Sequence, residues 1–363
     1  MKPINKIYLL LVITALLLGL MYYLHSSALA LQRYTVSVFI PYQNLRNAIF
    51  AKALLSWGDV FYGSVFLTII FLLIRRFYLL LSKGFSLLRL LGTLLSVLII
   101  AVFSYALFII SWAANYNKPH IFSQWQIIKP TDRNAYISLL RQFDSLLVGR
   151  LDSLSPKLSS LSYQQINYLA AKAYAQQINS PYVFHNVTVK KSLLTQFMQR
   201  LGIEGYYNPF TGESQVSKAI PSFSLPFVLS HEIAHQYGIA AEDDANLLAY
   251  MICMRSTSPD FQYAATLDTW IYVHYRLLHR DPKWDKYWLS RINKLTLAHI
   301  DTLEKQRKLY DNVYSQVSGD MYDAFLKMQH QKEGLKSYGN LTLWAWAWEQ
   351  NAAALKAQKI NLP

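Results

Sequence analysis

Three long apolar runs occupy the first third of this chain: Ile7 to about Leu24, about Val60 to Ile74, and about Leu90 to Trp112. Each is near or above the roughly 18 residues that mark a helix able to span hydrocarbon. The second is the shortest. It lengthens back through Trp57 and forward through Phe77 to Leu81 if Arg75 and Arg76 snorkel. A cleaved leader is the competing reading of the first run, because Ala28-Leu29-Ala30 resembles a cleavage site. That run exceeds the usual leader core of about 7–15 residues, so an uncleaved anchor is expected.

Three spans dictate what the rest of the chain does. The short 75–89 loop holds Arg75, Arg76, Lys83 and Arg89, whereas the longer 25–58 loop holds Arg33, Arg46 and Lys52. Positive residues collect on the cytoplasmic side, which places the N-terminus and the 75–89 loop there. Everything after Trp112 is then expected outside the cytoplasm, and the lipid bilayer is a partner.

Composition supports this. Of 363 residues, 53% are hydrophobic and only 15% charged, too apolar for an ordinary soluble protein. A net charge of +14 raises the question of nucleic acid. Residues 1–112 carry nine Lys/Arg against one acid, Asp59, so the densest excess lies where it orients spans. With no RNP-like, zinc-finger or Lys/Arg-run pattern, no nucleic-acid partner is expected. Cys253 is the only cysteine, so no internal disulfide or Cys-rich zinc site can form.

The chain divides into a transmembrane region, 1–112, and a mostly helical α+β domain, 113–363, with a small β-sheet. Thr131-Asp132 reads as a helix start, followed by Ile137, Leu140, Phe143 and Leu147 at helical spacing. Tyr163 to Ile178 reads as a second helix. Val187 to Lys190 is β-like, and turn signals in Gly205–Gly212 precede a further strand at Glu213 to Val216. Helical patterns follow at about 259–280, 284–310 and 316–330. The last, about 341–357, carries Trp344, Trp346 and Trp348 and is read as packing on the core.

Residues 231–250 read HEIAHQYGIAAEDDANLLAY. Side chains four apart share one face of a helix. His231 and His235 can therefore aim both imidazoles at one zinc ion, with Glu232 one step round to act as general base on an acidified water. A catalytic zinc takes three protein ligands. Gly238 marks the helix end, and a second helix begins near Glu242 with acids in its first turn. The pattern Glu242-x-x-Ala245-Asn246 resembles the Glu-x-x-Ala-Asp third-ligand motif of gluzincin metallopeptidases. The resemblance implies Glu242 as third ligand and Asn246 as the group steadying a ligating histidine. Asn stands where that family has Asp, so the steadying hydrogen bond would lack a charge. Asp243 and Asp244 remain competing ligands.

Trp57-Gly-Asp, Trp112-Ala-Ala-Asn-Tyr-Asn, Gly205-Tyr-Tyr-Asn-Pro-Phe-Thr-Gly-Glu213, the two stretches just quoted, and Gly334-Leu-Lys-Ser-Tyr-Gly339 follow in that order. The order resembles a bacterial family with a domain of unknown function, three N-terminal membrane helices and a zinc-peptidase-like HExxH domain. The resemblance covers nearly the whole chain. It implies a multi-pass protein of the bacterial cytoplasmic membrane with one zinc per chain. The expected function is a zinc-dependent metallopeptidase of membrane-anchored, zincin-like fold, acting on a peptide or protein substrate. The alternative is a non-catalytic zinc-binding sensor or assembly protein on the same fold. An intramembrane protease, with residues 223–241 in the bilayer, is disfavoured by the acids at 242–244 and the nearby prolines. Tyr338 is the expected oxyanion donor. His274 and Tyr250 are weaker choices for that role. The Tyr206–Val216 segment is a possible docking edge for an extended peptide. Cys253 is read as core.

Overall fold

The computed structural model describes residues 3–363 except 54, 85, 125–129, 282, 285–290, 330, 332–333, 335–340 and 352–357. Helix α1 (Pro3–Ser26) is the first apolar run. Helices α2 (Ala28–Tyr34), a π-helical turn (Thr35–Phe39) and α3 (Ile40–Phe50) follow. Then come α4 (Trp57–Lys83) and α5 (Leu87–Ser111). Among the described residues three helices are long and apolar enough to cross a membrane: Ile4–Ser26, Trp57–Leu79 and Leu87–Ser111, with mean hydropathies of 2.3, 1.9 and 2.6. The second span does reach back to Trp57. α1 lies along α5, with Lys6 Nζ donating to Gly92 O (3.2 Å) and Ser96 Oγ (2.6 Å).

The segment between the first two spans is not a surface loop. Gln43, Arg46 and Asn47 are buried. Burial of such groups is tolerable only when they are hydrogen-bonded. Arg46 donates to Pro209 O and to Tyr207 OH (3.0 Å), Gln43 to Gly212 O (2.7 Å), and Asn47 to His185 O (2.9 Å). This polar plug ties residues 43–47 to the β-hairpin of the following domain.

In that domain α6 (Arg133–Leu154) starts where Asp132 accepts from Ala135 N, and it buries Leu140, Phe143, Leu147 and Leu151. A capping box of Ser162 and Gln165 opens α7 (Tyr163–Gln177). Strand β1 (Val189–Lys191), helix α8 (Thr195–Arg200) and strands β2 (Gly205–Tyr207) and β3 (Ser214–Val216) come next. The sheet order is β1-β3-β2, β1 parallel to β3 (Val189 opposite Ser214) and β2 antiparallel to it (Tyr206 opposite Gln215). β2 is therefore an edge.

Helix α9 (Leu225–Gln236) lies between this sheet and α7, and against α10 (Glu242–Met254) and α11 (Pro259–Leu278). At 12 residues α9 is too short to cross a bilayer. α11 also packs along α6, closing the core. Among the described residues α12 (Lys294–Tyr310), α13 (Val313–Met328) and α14 (Leu341–Gln350) follow. The described α12 begins later than the sequence pattern, because Asn293 caps it by accepting from Thr296 N (3.0 Å). Trp344 and Trp348 of α14 are buried, as expected of a core helix.

Candidate metal centre

Helix α9 carries His231, Glu232 and His235, and its end fixes one of them. Gly238 has φ +78°, a left-handed turn that suits glycine. A Cβ there would also stand 2.6 Å from the Phe39 ring. The turn brings Ile239 O within 2.7 Å of His235 Nδ1. A carbonyl only accepts, so Nδ1 carries the proton and the Nε2 lone pair points outward. His231 Nδ1 meets Asn246 Oδ1 at 2.9 Å, which orients the second imidazole the same way. The two Nε2 atoms stand 3.1 Å apart.

α10 begins at Glu242, whose Oε2 is 3.3 Å from His231 Nε2 and 3.8 Å from His235 Nε2. The ligand atoms of these three residues lie within 4.8 Å of one another. Two imidazole lone pairs and a carboxylate oxygen repel unless a cation lies among them. The chain itself answers with a proton. Burial opposes charge on His231, but the Glu242 carboxylate outweighs it and holds the imidazolium up to about 9. Burial likewise disfavours the Glu242 carboxylate, and the two histidines outweigh it to keep its pKa low. For His235 burial wins, and its pKa falls to about 4. A field that retains a proton also attracts a divalent ion, and the His/His/Glu donor set fits zinc.

The other two acids face elsewhere. Asp244 Oδ2 meets His120 Nδ1 at 2.9 Å and its Oδ1 accepts from Ile121 N (3.0 Å). Asp243 Oδ1 accepts from Asp244 N (2.9 Å). Of the three competing acids, Glu242 is the one brought to the histidine pair.

Glu232 is 4% exposed, and its Oε2 has no hydrogen-bond partner among the described residues. Burial pushes its carboxyl up to about 8, Glu242 and Glu204 adding to the rise against the pull of His231. Such a group exchanges its proton near neutrality, as a general base must. β2 runs beside it, and a Cβ at Gly205 would collide with the Glu232 carboxylate. Ser214 Oγ donates to Glu232 O (2.8 Å), tying the helix to the sheet.

Three further groups escaped the sequence reading. Tyr322 of α13 donates its hydroxyl to Glu242 Oε1. Glu204 opens to solvent; Asp268 of α11 is half-buried, and burial raises its carboxyl to about 7, Glu204 adding to the rise and His231 opposing it. The only sequence signal for Tyr322 was its place on one face of an amphipathic helix. Tyr338 lies outside the described residues. His274 stacks on Trp270 (4.5 Å) and pairs with Asp144 (3.5 Å), and Tyr250 donates to Glu349 (2.6 Å). Both serve the core, as does buried Cys253.

A family model described as "Protein of unknown function (DUF3810)" matches residues 34–345, and the chain belongs to that family. No curated protein and no solved structure matches the chain.

Proposed function

We propose that this member of the DUF3810 family is a membrane-anchored, zinc-dependent metallopeptidase whose domain works on the extracytoplasmic side. The observation that carries this reading is the convergence of His231 Nε2, His235 Nε2 and Glu242 Oε2 beside the buried carboxyl of Glu232. The first three residues would hold zinc. When bound, zinc acidifies water and polarises a carbonyl group.

The chain's own residues do the rest. Glu232 takes a proton from water, whose oxygen bonds to the peptide carbonyl carbon. It returns that proton to the nitrogen as the C–N bond breaks, so hydroxyl and hydrogen of one water end on the two products. Asn246 and Ile239 O keep the imidazoles aimed. Tyr322 OH, beside Glu242, is the described donor best placed to stabilise charge on the carbonyl oxygen. The free edge of β2 runs along α9 and offers main-chain pairing to an extended peptide.

The test is Glu232→Gln. The variant keeps about one zinc per chain by mass spectrometry and loses on the order of 10²–10⁴-fold in peptide hydrolysis. Zinc retained with undiminished hydrolysis would remove Glu232 from the mechanism. Zinc present in an inert wild type would favour the non-catalytic sensor.

A further inference from the structure

We infer, building on the peptidase reading, that the substrates are polypeptides anchored in the same membrane and cut close to the bilayer surface. The candidate site stands directly on the ends of two spans. Trp112 ends α5, and its ring lies 5.9 Å from the His235 ring and 4.4 Å from Tyr207 of β2. On the other side Tyr62, early in α4, lies 5.8 Å from Tyr206 of β2. Tyr206 OH donates to Asp59 (2.5 Å), and Gly58 N donates to Glu213 (2.7 Å). Ring contacts, and no linker, separate the metal-binding helix and its substrate edge from hydrocarbon.

The rim around these contacts is apolar and exposed. Along α13, Val313, Val317, Met321 and Met328 form a stripe, 51–70% exposed, with Tyr314 beside it. The face beside it turns inward: Tyr322 meets Glu242, and Phe325 lies 6.0 Å from Phe108 of α5. Met328 lines a pocket with Leu18, Met21 and Tyr22 of α1, so the stripe runs into the surface of the spans. It continues the other way. Gly202 abuts Ser315 of α13, and beyond it Leu193 and Phe197 are exposed, with Leu193 N on Asp59 (2.7 Å). Facing water, an apolar rim of this length carries a standing cost. Continuous with three spans, and with Arg307 and Lys308 at its polar end, it has the make-up of a surface resting in the headgroup region.

The spans leave a way in. α1 and α5 are packed together, but no described side chain of α4 beyond Val60 is buried. The flank between α4 and α5, below β2 and His235, is thus open to lipid. A chain emerging from the bilayer there meets the β2 edge at once, whereas a soluble peptide must come over the rim.

The experiment uses the full chain, zinc-loaded, in phosphatidylethanolamine–phosphatidylglycerol vesicles. One randomised peptide pool is offered in three forms: free, on a dipalmitoyl anchor with a spacer of about two residues, and on the same anchor with about twenty. The short-spacer pool should be cut at least as fast as the long, and about tenfold or more faster than the free pool. Val317→Asp with Met321→Asp should bring anchored cleavage down to the free rate. Cleavage confined to free and long-spacer peptides would overturn the inference, since a site held away from the bilayer behaves that way. A fluorophore on Met321→Cys reads the rim without turnover, because Cys253 is buried and escapes labelling. It should be quenched by doxyl lipid and shielded from iodide; quenching by iodide instead overturns the inference. No cleavage of any pool would overturn the peptidase reading itself, with the Met321 label still deciding where the rim lies.

Discussion

Among the described residues, two trios of potential metal ligands lie side by side at the start of α10. His231, His235 and Glu242 form one; His120, Asp243 and Asp244 form the other. They differ in what their atoms already do. In the second trio the carboxylate oxygens accept from donors of the chain, Ile121 N, Asp244 N and the His120 ring. In the first, the outer imidazole nitrogens are tied by Asn246 and Ile239, and the two Nε2 atoms turn toward Glu242, which holds a proton on His231 and accepts from Tyr322. Ligand type and proximity are shared. What satisfies them is not: the first trio holds a proton that a metal ion can displace, the second backbone N–H donors that it cannot.

The comparison breaks most sharply on metal content. His231→Ala and Glu242→Ala should each abolish stoichiometric zinc, measured by mass spectrometry on the purified protein. Asp243→Asn and Asp244→Asn should keep it. Zinc that survives Glu242→Ala but not Asp243→Asn would transfer the third-ligand role and reverse the assignment of the two trios.

A smaller effect is expected one shell out. Asn246→Ala leaves the three ligands in place but frees the His231 ring, so zinc affinity should fall by about 10–100-fold in a competitive chelator titration. Asn246→Asp tests the missing charge from the other side. It restores a carboxylate opposite Nδ1 and should bind zinc at least as tightly as wild type.

These residues show where sequence reasoning reached and where it stopped. The histidine spacing and the Gly238 turn depend on helix geometry and one left-handed glycine, so periodicity and turn chemistry were enough for them; Glu242 was singled out from Asp243 and Asp244 only by resemblance to the gluzincin motif. The burial of Leu140, Phe143 and Leu147 followed in the same way from helical spacing. Tyr322, Glu204 and Asp268 come from three distant elements, and nothing local distinguishes them from other tyrosines and acids. The polar plug was hidden for a different reason. Gln43, Arg46 and Asn47 look solvent-facing in sequence, and their partners are mostly backbone carbonyls with no residue signature. The sheet edge was legible only coarsely: Tyr206–Val216 holds most of two short strands around a turn.

On the satisfied side of the comparison, Asp244→Ala should leave zinc intact and lower stability. It removes the acceptor used by buried Ile121 N and by His120, a loss on the order of 1–3 kcal/mol. Denaturant unfolding in detergent with parallel metal analysis checks both halves. Loss of zinc alongside the stability would mean that the two trios act as one centre.

The turn joining the trios is tested through pH alone. Lys118 Nζ donates to Gly238 O (3.3 Å) and to Tyr182 OH (3.3 Å), over the rings of Phe39 and Tyr182. Burial lowers its ammonium to about 7. In the unfolded chain a lysine keeps its proton to about 10.4. Between those values the unfolded state binds the extra proton, so stability from this position rises with pH and is lost as pH falls toward about 7. Lys118→Met keeps the apolar packing and removes the titration. Its Tm should gain on wild type as pH drops from about 10 to about 7 and run parallel below that. Parallel curves across the whole range would mean that Lys118 stays charged in the fold, and that a full ammonium hydrogen bond to Gly238 O holds the turn that presents Ile239 O to His235.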